Sequence, residues 1–247
     1  MDNWLASFRE GVTALALTVT AEQEDRFARF LKLLLDYNQR VNLTSITDPA
    51  EVAVKHFVDS LTVESIWQPH AGDRALDIGT GAGLPGIPLA ILHPEITMVL
   101  NESVRKKVEF LEYAVAQLSL TNAHPVWARA EDLGRQPEYR EQFNAVFVRA
   151  VAHLAVLVEY GLPLLKMGGV LICMKGPGGM HEIDESQRAL NVIGGVITKV
   201  SPLTVQGAGE RVLIVVRKNH RTSQEFPRPV GTAKKTPLFL DSTGAKT

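Results

Sequence analysis

Apolar residues in the middle of the chain form short runs that alternate with helically spaced positions. Five runs are candidate buried strands, at residues 74–78, 97–101, 126–128, 145–148 and 170–174. Between them, apolar side chains fall on one helical face along 104–118 and along 154–165. Two later runs, 195–200 and 211–216, are joined by a glycine-containing segment. The alternation predicts an α/β fold with a mostly parallel sheet that ends in an antiparallel pair.

The first third of the chain has the apolar spacing of helices. Thr20 and Gln23 have the spacing of a capping box, which predicts a helix over residues 21–40. Pro49, at a first-turn position, predicts another over 49–67. From Lys218 the Pro, Lys and Thr content predicts an irregular tail rather than a packed element. We therefore expect three parts: an N-terminal helical extension (1–70), an α/β domain (71–217) and a basic C-terminal tail (218–247).

Composition narrows the class of protein. The chain has 247 residues, of which 45% are hydrophobic and 21% charged, as in ordinary globular domains. A single cysteine, Cys173, excludes a disulfide scaffold. No apolar run approaches the roughly 20 residues of a membrane span, and the N-terminus lacks the apolar core of a signal peptide. We expect a cytoplasmic protein without membrane contact.

The near-neutral net charge of −1 hides a basic C-terminal end. From Thr198 onward there are nine Lys and Arg residues against three acidic ones. A basic end on an acidic body can attract the phosphates of a nucleic acid. A tail that is merely solvated by its charges is the alternative.

The strongest local motif is a glycine loop after the first predicted strand. The sequence there is DIGTGAGLPG, and its candidate cofactor contacts are Asp77, Gly79, Gly81, Gly83 and Leu84. A strand, a glycine loop and a helix together allow close approach of a nucleotide-type ligand to the backbone. Glu102, 23 residues after Gly79, is suitably spaced to bind a ribose diol. A purely structural turn, a nicotinamide dinucleotide and S-adenosylmethionine (SAM) all remain open, and no Walker lysine follows the loop.

If the cofactor is SAM, the residues after the fourth strand restrict the methyl acceptor. Methylation of an exocyclic amine is disfavoured, because Val148-Arg149-Ala150-Val151 replaces the usual Asn/Asp-Pro-Pro-aromatic run. Cytosine C5 methylation is disfavoured, because Cys173 lies in an apolar strand where its thiol would be inert. Guanine N7 carries an in-plane lone pair and needs no general base. A site without an obvious base is consistent with that acceptor.

Several ordered motifs resemble the RsmG (GidB) family, the bacterial 16S ribosomal RNA guanine-N7 methyltransferases. They cover nearly the whole chain: residues 37–44, 56–61, the glycine loop, 129–132, 149–151, 174–176 and 226–228. The resemblance implies a class I SAM-dependent methyltransferase (Rossmann-like) fold, with a mostly parallel seven-stranded sheet, an antiparallel terminal strand and the helical extension. It implies SAM as methyl donor, and a guanosine in the decoding region of 16S rRNA, or of the small ribosomal subunit, as acceptor.

Cofactor contacts carried over from the family fall on Gly79, Leu84, Glu102, Ser103, Val104, Ala130, Glu131 and Arg149. Glu131, or the backbone beside it, would meet the adenine. Arg149 would contact either the methionine moiety or the RNA, and it is a candidate supporting residue for catalysis together with Lys175. The chain departs from the family at Asn101-Glu102-Ser103, where Asp-Ser is usual, so the ribose acid has a longer reach.

The candidates for RNA contact are His56, Asp59, Lys175, Arg228, Lys234 and Lys235. His56 and Asp59 share a helical face, but without a third ligand they indicate a structural or RNA-facing pair rather than a metal site. We expect no catalytic base, no metal and a monomer. The alternatives are a nicotinamide oxidoreductase, which the absence of a Tyr-x-x-x-Lys run disfavours, and a non-catalytic ribosome-assembly factor.

Overall fold

The computed structural model describes residues 3–149 and 152–239. Ala150 and Val151 of the motif at 149–151, and positions 240–247 of the predicted tail, lie outside the described residues. The chain divides into two compact units, Met1–Trp127 with Thr204–Glu210, and Ala128–Leu203 with Arg211–Thr247. The domain bounds drawn from the sequence stay a prediction. Within the described part of the chain, no helix is both long enough and apolar enough to cross a membrane.

The elements alternate as the sequence pattern predicts. The helices are α1 (Asn3–Ala14), α2 (Ala21–Asn38), α3 (Pro49–Val52), α4 (Asp59–Leu61), α5 (Gly86–Leu92), α6 (Arg105–Gln117), α7 (Ala130–Leu133), α8 (Leu154–Gly161), α9 (Glu182–Glu185), α10 (Gln187–Ile193) and α11 (Thr232–Lys235). The strands are β1 (Arg74–Ile78), β2 (Thr97–Glu102), β3 (Ala123–Trp127), β4 (Phe143–Arg149), β5 (Leu165–Lys175), β6 (Gly195–Val205) and β7 (Gly209–Lys218).

The seven strands are ordered β3-β2-β1-β4-β5-β7-β6. In the first unit β2 pairs in parallel with both β1 and β3. In the second unit β4 and β5 are parallel, and β5 and β7 are antiparallel. The predicted sheet, mostly parallel with antiparallel strands at one end, is therefore confirmed.

Helix α2 begins where the capping box predicts. The Thr20 hydroxyl accepts from the backbone N–H of Gln23 (3.2 Å), and the Gln23 side chain accepts from the Thr20 N–H (2.9 Å). These two bonds satisfy donors that a helix start leaves open. The buried face of α2 carries Phe27 and Phe30, whose rings both lie 5.3 Å from the ring of Phe57. This aromatic cluster forms the core of the helical extension.

The helix predicted over 49–67 is helical as far as Ser65, but it is not one regular α-helix. Short α-helical turns flank a π-helix over Ala53–Val58, and a 3-10 turn follows over Thr62–Ser65. Apolar spacing cannot separate these helix types here, because each stretch is only three to six residues long and too short to show its own repeat.

The strand predicted at 126–128 is wrong in its bounds, since β3 covers Ala123–Trp127. It lies at the edge of the sheet, with only its first residue fully buried. An edge strand tolerates Pro125 and polar residues, so it leaves no apolar run in the sequence.

The prediction of an unpacked tail after Lys218 is also wrong. The Arg140 guanidinium donates to the backbone oxygens of Phe226 (2.7 Å) and Thr222 (3.0 Å), and the Phe226 side chain is buried. A short helix, α11, follows. The tail packs because its backbone acceptors are satisfied by an arginine from elsewhere in the second unit.

Candidate active site

The carboxylate of Asp77 holds the glycine loop in place through hydrogen bonds. It is fully buried near the end of β1, and its Oδ2 accepts from the Gly86 backbone N–H (2.8 Å) and from the Thr80 hydroxyl (2.5 Å). These bonds connect both ends of the loop to one carboxylate. A direct contact between Asp77 and a cofactor stays a prediction, while its structural role is evident from the geometry.

The glycines of the loop have different reasons to be glycine. Gly79, Gly81 and Gly83 all have positive φ, at 63°, 59° and 86°. A Cβ on Gly83 would lie 2.4 Å from the Ile87 side chain, and a Cβ on Gly86 would lie 2.3 Å from Leu100. A Cβ on Gly81 would meet only one atom, the Gly79 oxygen at 4.0 Å. Gly83 and Gly86 therefore permit packing, whereas the backbone at Gly81 borders open space that a ligand can enter.

Glu102 ties the glycine loop to the start of α6. Its Oε2 accepts from the Gly81 N–H (3.1 Å), and its Oε1 accepts from the N–H groups of Ser103 (2.7 Å) and Val104 (2.8 Å). Because β1 and β2 are parallel neighbours, their carboxyl ends meet at one edge of the sheet. The structure thus brings together the predicted residues Asp77, Glu102 and the loop. Leu84 lies buried in that loop.

Trp127 and Arg105 are neighbours of this site that the sequence analysis missed. Trp127 ends β3 opposite Glu102 in the strand register, and the residue is 57% exposed. Its indole N–H donates to the Ser103 backbone oxygen (3.0 Å), and the Arg105 guanidinium lies 5.1 Å from its ring centroid. An aromatic residue within the strand predicted at 126–128 was the available signal.

In the second unit, Ala130 and Glu131 open helix α7. Glu131 is buried, and its Oε1 accepts from the backbone N–H of Gly231 (3.0 Å). Tyr160 of α8 lies near enough for the charge of Glu131 to act on its phenol. Burial, followed by that charge, raises the pKa of Tyr160 well above its ordinary value.

The basic candidates of the second unit are largely engaged within it. Arg149 is half-buried at the end of β4. Lys175, at the end of β5, donates to the Ala152 oxygen (2.7 Å) and pairs with Glu182 (2.7 Å). The Arg228 guanidinium binds the carboxylate of Glu159, with Nη2 2.6 Å from Oε2. The ammonium of Lys175 and the guanidinium of Arg228 are thus neutralised locally.

The remaining candidates fall into two groups. Lys234 and Lys235 end α11 with exposed side chains. His56 and Asp59 are buried in the first unit, where His56 Nε2 lies 2.7 Å from the Thr44 hydroxyl. This burial matches the structural reading of the pair rather than the RNA-facing one. Across residues 3–149 and 152–239, no group of three or more His, Cys, Asp and Glu side chains could hold a metal ion.

Cys173 has the environment of an inert thiol. It is completely buried in β5, and burial raises its pKa to about 12. A thiol that is buried and has a raised pKa does not supply a thiolate nucleophile at neutral pH. The observation agrees with the sequence-based argument against cytosine C5 chemistry.

The comparisons with known proteins identify the family. The family model described as rRNA small subunit methyltransferase G (GidB) matches residues 23–212. A protein named ribosomal RNA small subunit methyltransferase G from Desulfitobacterium hafniense is 45% identical over 91% of this chain and 93% of its own. A protein of the same name from Pelotomaculum thermopropionicum is 41% identical over 94% of this chain and 98% of its own. The chain belongs to this family.

A solved structure independently supports the fold of this rRNA small subunit methyltransferase G family member. The antibiotic-resistance methyltransferase Kmr superposes with a TM-score of 0.50 at 18% identity, covering 64% of this chain and 93% of the other. At that identity the likeness concerns the fold alone. The predicted family and the class I methyltransferase fold are both confirmed.

Proposed function

We propose that the protein transfers a methyl group from SAM to N7 of one guanosine in the decoding region of 16S rRNA. The observation that carries this proposal is the bond between Glu102 and Gly81, which joins a buried carboxylate to an open glycine loop. The loop borders space that a ligand can enter, and the carboxylate lies at the adjacent strand end. Membership of the rRNA small subunit methyltransferase G family supports both the donor and the RNA substrate.

In the first unit, the cofactor would lie against the backbone of Gly79, Gly81, Gly83 and Leu84. Glu102 would accept from the ribose hydroxyls, since an ionised carboxylate has about four lone-pair positions and can accept beyond its present N–H donors. The half-exposed Val104 would offer an apolar face beside it. In the second unit, Ala130, Glu131 and Arg149 are the proposed contacts, on the strength of the family resemblance.

The proposed chemistry asks little of the protein beyond orientation. When bound, SAM supplies a methyl group activated by its sulfonium. The guanine N7 lone pair attacks without losing a proton, so no side chain has to act as a base. Holding the reacting groups in line can contribute about 7–11 kcal/mol. The inert environment of Cys173 leaves no competing thiolate route.

The RNA would bind to exposed lysines rather than to basic residues that already pair with acidic side chains. Lys234 and Lys235 lie at the end of α11 with exposed side chains, whereas Lys175 and Arg228 are paired with acids. We propose the small ribosomal subunit or its RNA as substrate, and the cytoplasm, where ribosomes are assembled, as the compartment. A monomer stays a prediction.

The decisive experiment uses methyl-labelled SAM and small subunits from a strain that lacks this methylation. After incubation with the protein, the RNA is digested and the labelled nucleoside is identified. Label in 7-methylguanosine at a single site supports the proposal, and label in another nucleoside overturns the N7 assignment. Bound SAM without transfer to any form of the substrate would favour an assembly role, and absence of SAM binding would reopen the nicotinamide interpretation.

A further inference from the structure

Residues 219–239, which we call the C-terminal strap, run over the second unit after the last strand. Phe226 anchors the strap in the core, and Arg140 binds its backbone oxygens at Thr222 and Phe226. The strap therefore has a fixed path between β7 and α11, although its composition resembles that of a disordered segment.

The middle of the C-terminal strap is fastened by Arg228 and Glu159. The Arg228 Nε and Nη2 atoms lie 2.9 Å and 2.6 Å from the two carboxylate oxygens, a bidentate arrangement. The Arg228 backbone N–H donates to the same carboxylate (2.9 Å). Glu159 is almost fully buried, so its charge needs this partner. The contact constrains both the side chain and the backbone of the strap at this residue.

Three residues further on, the C-terminal strap contacts Glu131, the residue proposed to bind the adenine of SAM. Gly231, at φ 80°, donates its backbone N–H to Glu131 Oε1 (3.0 Å). The strap therefore holds two buried acids of the second unit, Glu159 through Arg228 and Glu131 through Gly231.

We propose that Arg228 is a positioning residue for cofactor recognition. By holding the C-terminal strap on Glu159, it fixes Gly231, and through it the orientation of the Glu131 carboxylate toward the exocyclic amine of the SAM adenine. This inference rests on the proposed function. The carboxylate retains lone pairs for an amine donor after accepting from Gly231. A carboxylate whose orientation this donor already restricts loses less rotational freedom when the amine binds.

The test compares two ligands that differ at the Watson–Crick edge of the base, where the amine donor at C6 is replaced by a carbonyl and N1 gains a hydrogen. S-adenosylhomocysteine and its analogue with a 6-oxo base are titrated calorimetrically into the full chain, as wild type and as Arg228→Gln. We expect wild type to prefer the amine-bearing ligand. Arg228→Gln should lose about tenfold in affinity for that ligand, the size of one charge-assisted hydrogen bond, and change little toward the 6-oxo analogue. Arg221→Gln, an exposed arginine of the same strap, serves as the charge-matched control.

The outcomes separate the inference from the proposed function. If wild type binds neither ligand, the proposed cofactor is wrong and the inference falls with it. If wild type binds both equally, or Arg228→Gln keeps the full preference, the positioning role is overturned while the cofactor assignment stands. Should Arg228→Gln fail to fold, Arg228→Lys keeps the charge without the planar fork and is expected to lose part of the preference.

Discussion

His93 Nε2 lies 2.9 Å from Oε1 of Glu64, and the opposite ring nitrogen lies 3.0 Å from a Glu95 oxygen. Both nitrogens of the imidazole thus face carboxylates at the end of α5. Burial opposes the positive charge of His93, but hydrogen bonding and attraction from Glu64 and then Glu95 outweigh it. Together they raise the pKa of His93 above its ordinary value of 6.5.

This arrangement predicts a pH-dependent contribution to stability. A group whose pKa is higher in the folded state stabilises fully below its unfolded pKa, and the contribution is lost as the pH rises through the folded pKa. We expect His93→Gln to destabilise the protein more at about pH 5.5 than at about pH 8.5. Urea denaturation at both pH values measures the difference. The exposed His124→Gln variant should show no such change, and an equal cost of His93→Gln at both pH values would refute the prediction.

Replacement of Glu102 by glutamine tests the link between the glycine loop and α6. The amide retains one acceptor oxygen, so it cannot accept from Gly81, Ser103 and Val104 together. We expect a stability loss of about 1–2 kcal/mol and weaker SAM binding, measured by thermal denaturation and calorimetry. Glu109→Gln, in an exposed pair on α6, is the control and should leave both unchanged. Unaltered SAM affinity in Glu102→Gln would remove this residue from the proposed site.

Gly81→Asp should abolish SAM binding while the fold survives. Aspartate tolerates the positive φ of Gly81 better than most residues, but its carboxylate would enter the open space of the loop close to that of Glu102. We expect the affinity for SAM to fall by about 100-fold or more. Gly72→Asp is a matched control, because Gly72 has φ 86° and open surroundings but precedes β1. Equal affinities for wild type and Gly81→Asp in calorimetry would refute the assigned loop.

The double variant Lys234→Ala, Lys235→Ala should weaken RNA binding without changing SAM affinity. Each lost phosphate contact is expected to reduce the slope of log affinity against log salt by about one. Binding of small-subunit RNA is titrated over a range of salt concentrations. Arg29→Ala, Lys32→Ala on the exposed face of α2 removes the same charge and should leave the slope intact. If the two double variants behave alike, the end of α11 does not contact RNA.

Lys218 and Glu141 form an ion pair whose members should respond unequally to mutation. The Lys218 side chain is 0% exposed, whereas that of Glu141 is 33% exposed, and the charged atoms lie 2.8 Å apart. Glu141→Gln leaves the buried ammonium of Lys218 without a carboxylate partner. We therefore expect the free energy of unfolding to fall by about 2 kcal/mol after allowance for solvent screening. Lys218→Met leaves a carboxylate that water can reach, and it should cost less. Chemical denaturation of both variants checks the order, and a larger loss in Lys218→Met would contradict it.

The sequence predicts the buried strands of the fold far better than its edges. The bounds of β1 agree with its apolar run, because the strand is almost entirely buried. The bounds of β3 do not, because only the first residue of this edge strand is buried and the strand leaves no apolar run. The tail after Lys218 looks disordered by composition, yet it packs through Arg140, a residue whose partners lie 82 to 86 positions away.

The contacts of the candidate site also differ in how well the sequence predicts them. The glycine loop and Glu102 follow from local motifs, because parallel strands bring their carboxyl ends together. The partners of Arg228 and Glu131 could not be inferred, since Glu159 lies 69 positions from Arg228 and Gly231 lies 100 positions from Glu131. Sequence spacing carries no information about such pairs without a tertiary fold. For this reason the pairing of Arg228 with a buried acid could not be foreseen, while its contact with RNA stays a prediction.

The position of the C-terminal strap in the chain has a consequence for biosynthesis. Residues 219–239 follow all seven strands, so they leave the ribosome after the sheet has been translated. The backbone N–H of Gly231 can bind Glu131 only at that stage. The glycine loop of a nascent chain would therefore be synthesised before the orientation of the Glu131 carboxylate is fixed. If Glu131 has the proposed role, a stop codon shortly after Lys218 would yield a chain that retains the seven strands described here but binds the adenine of SAM more weakly.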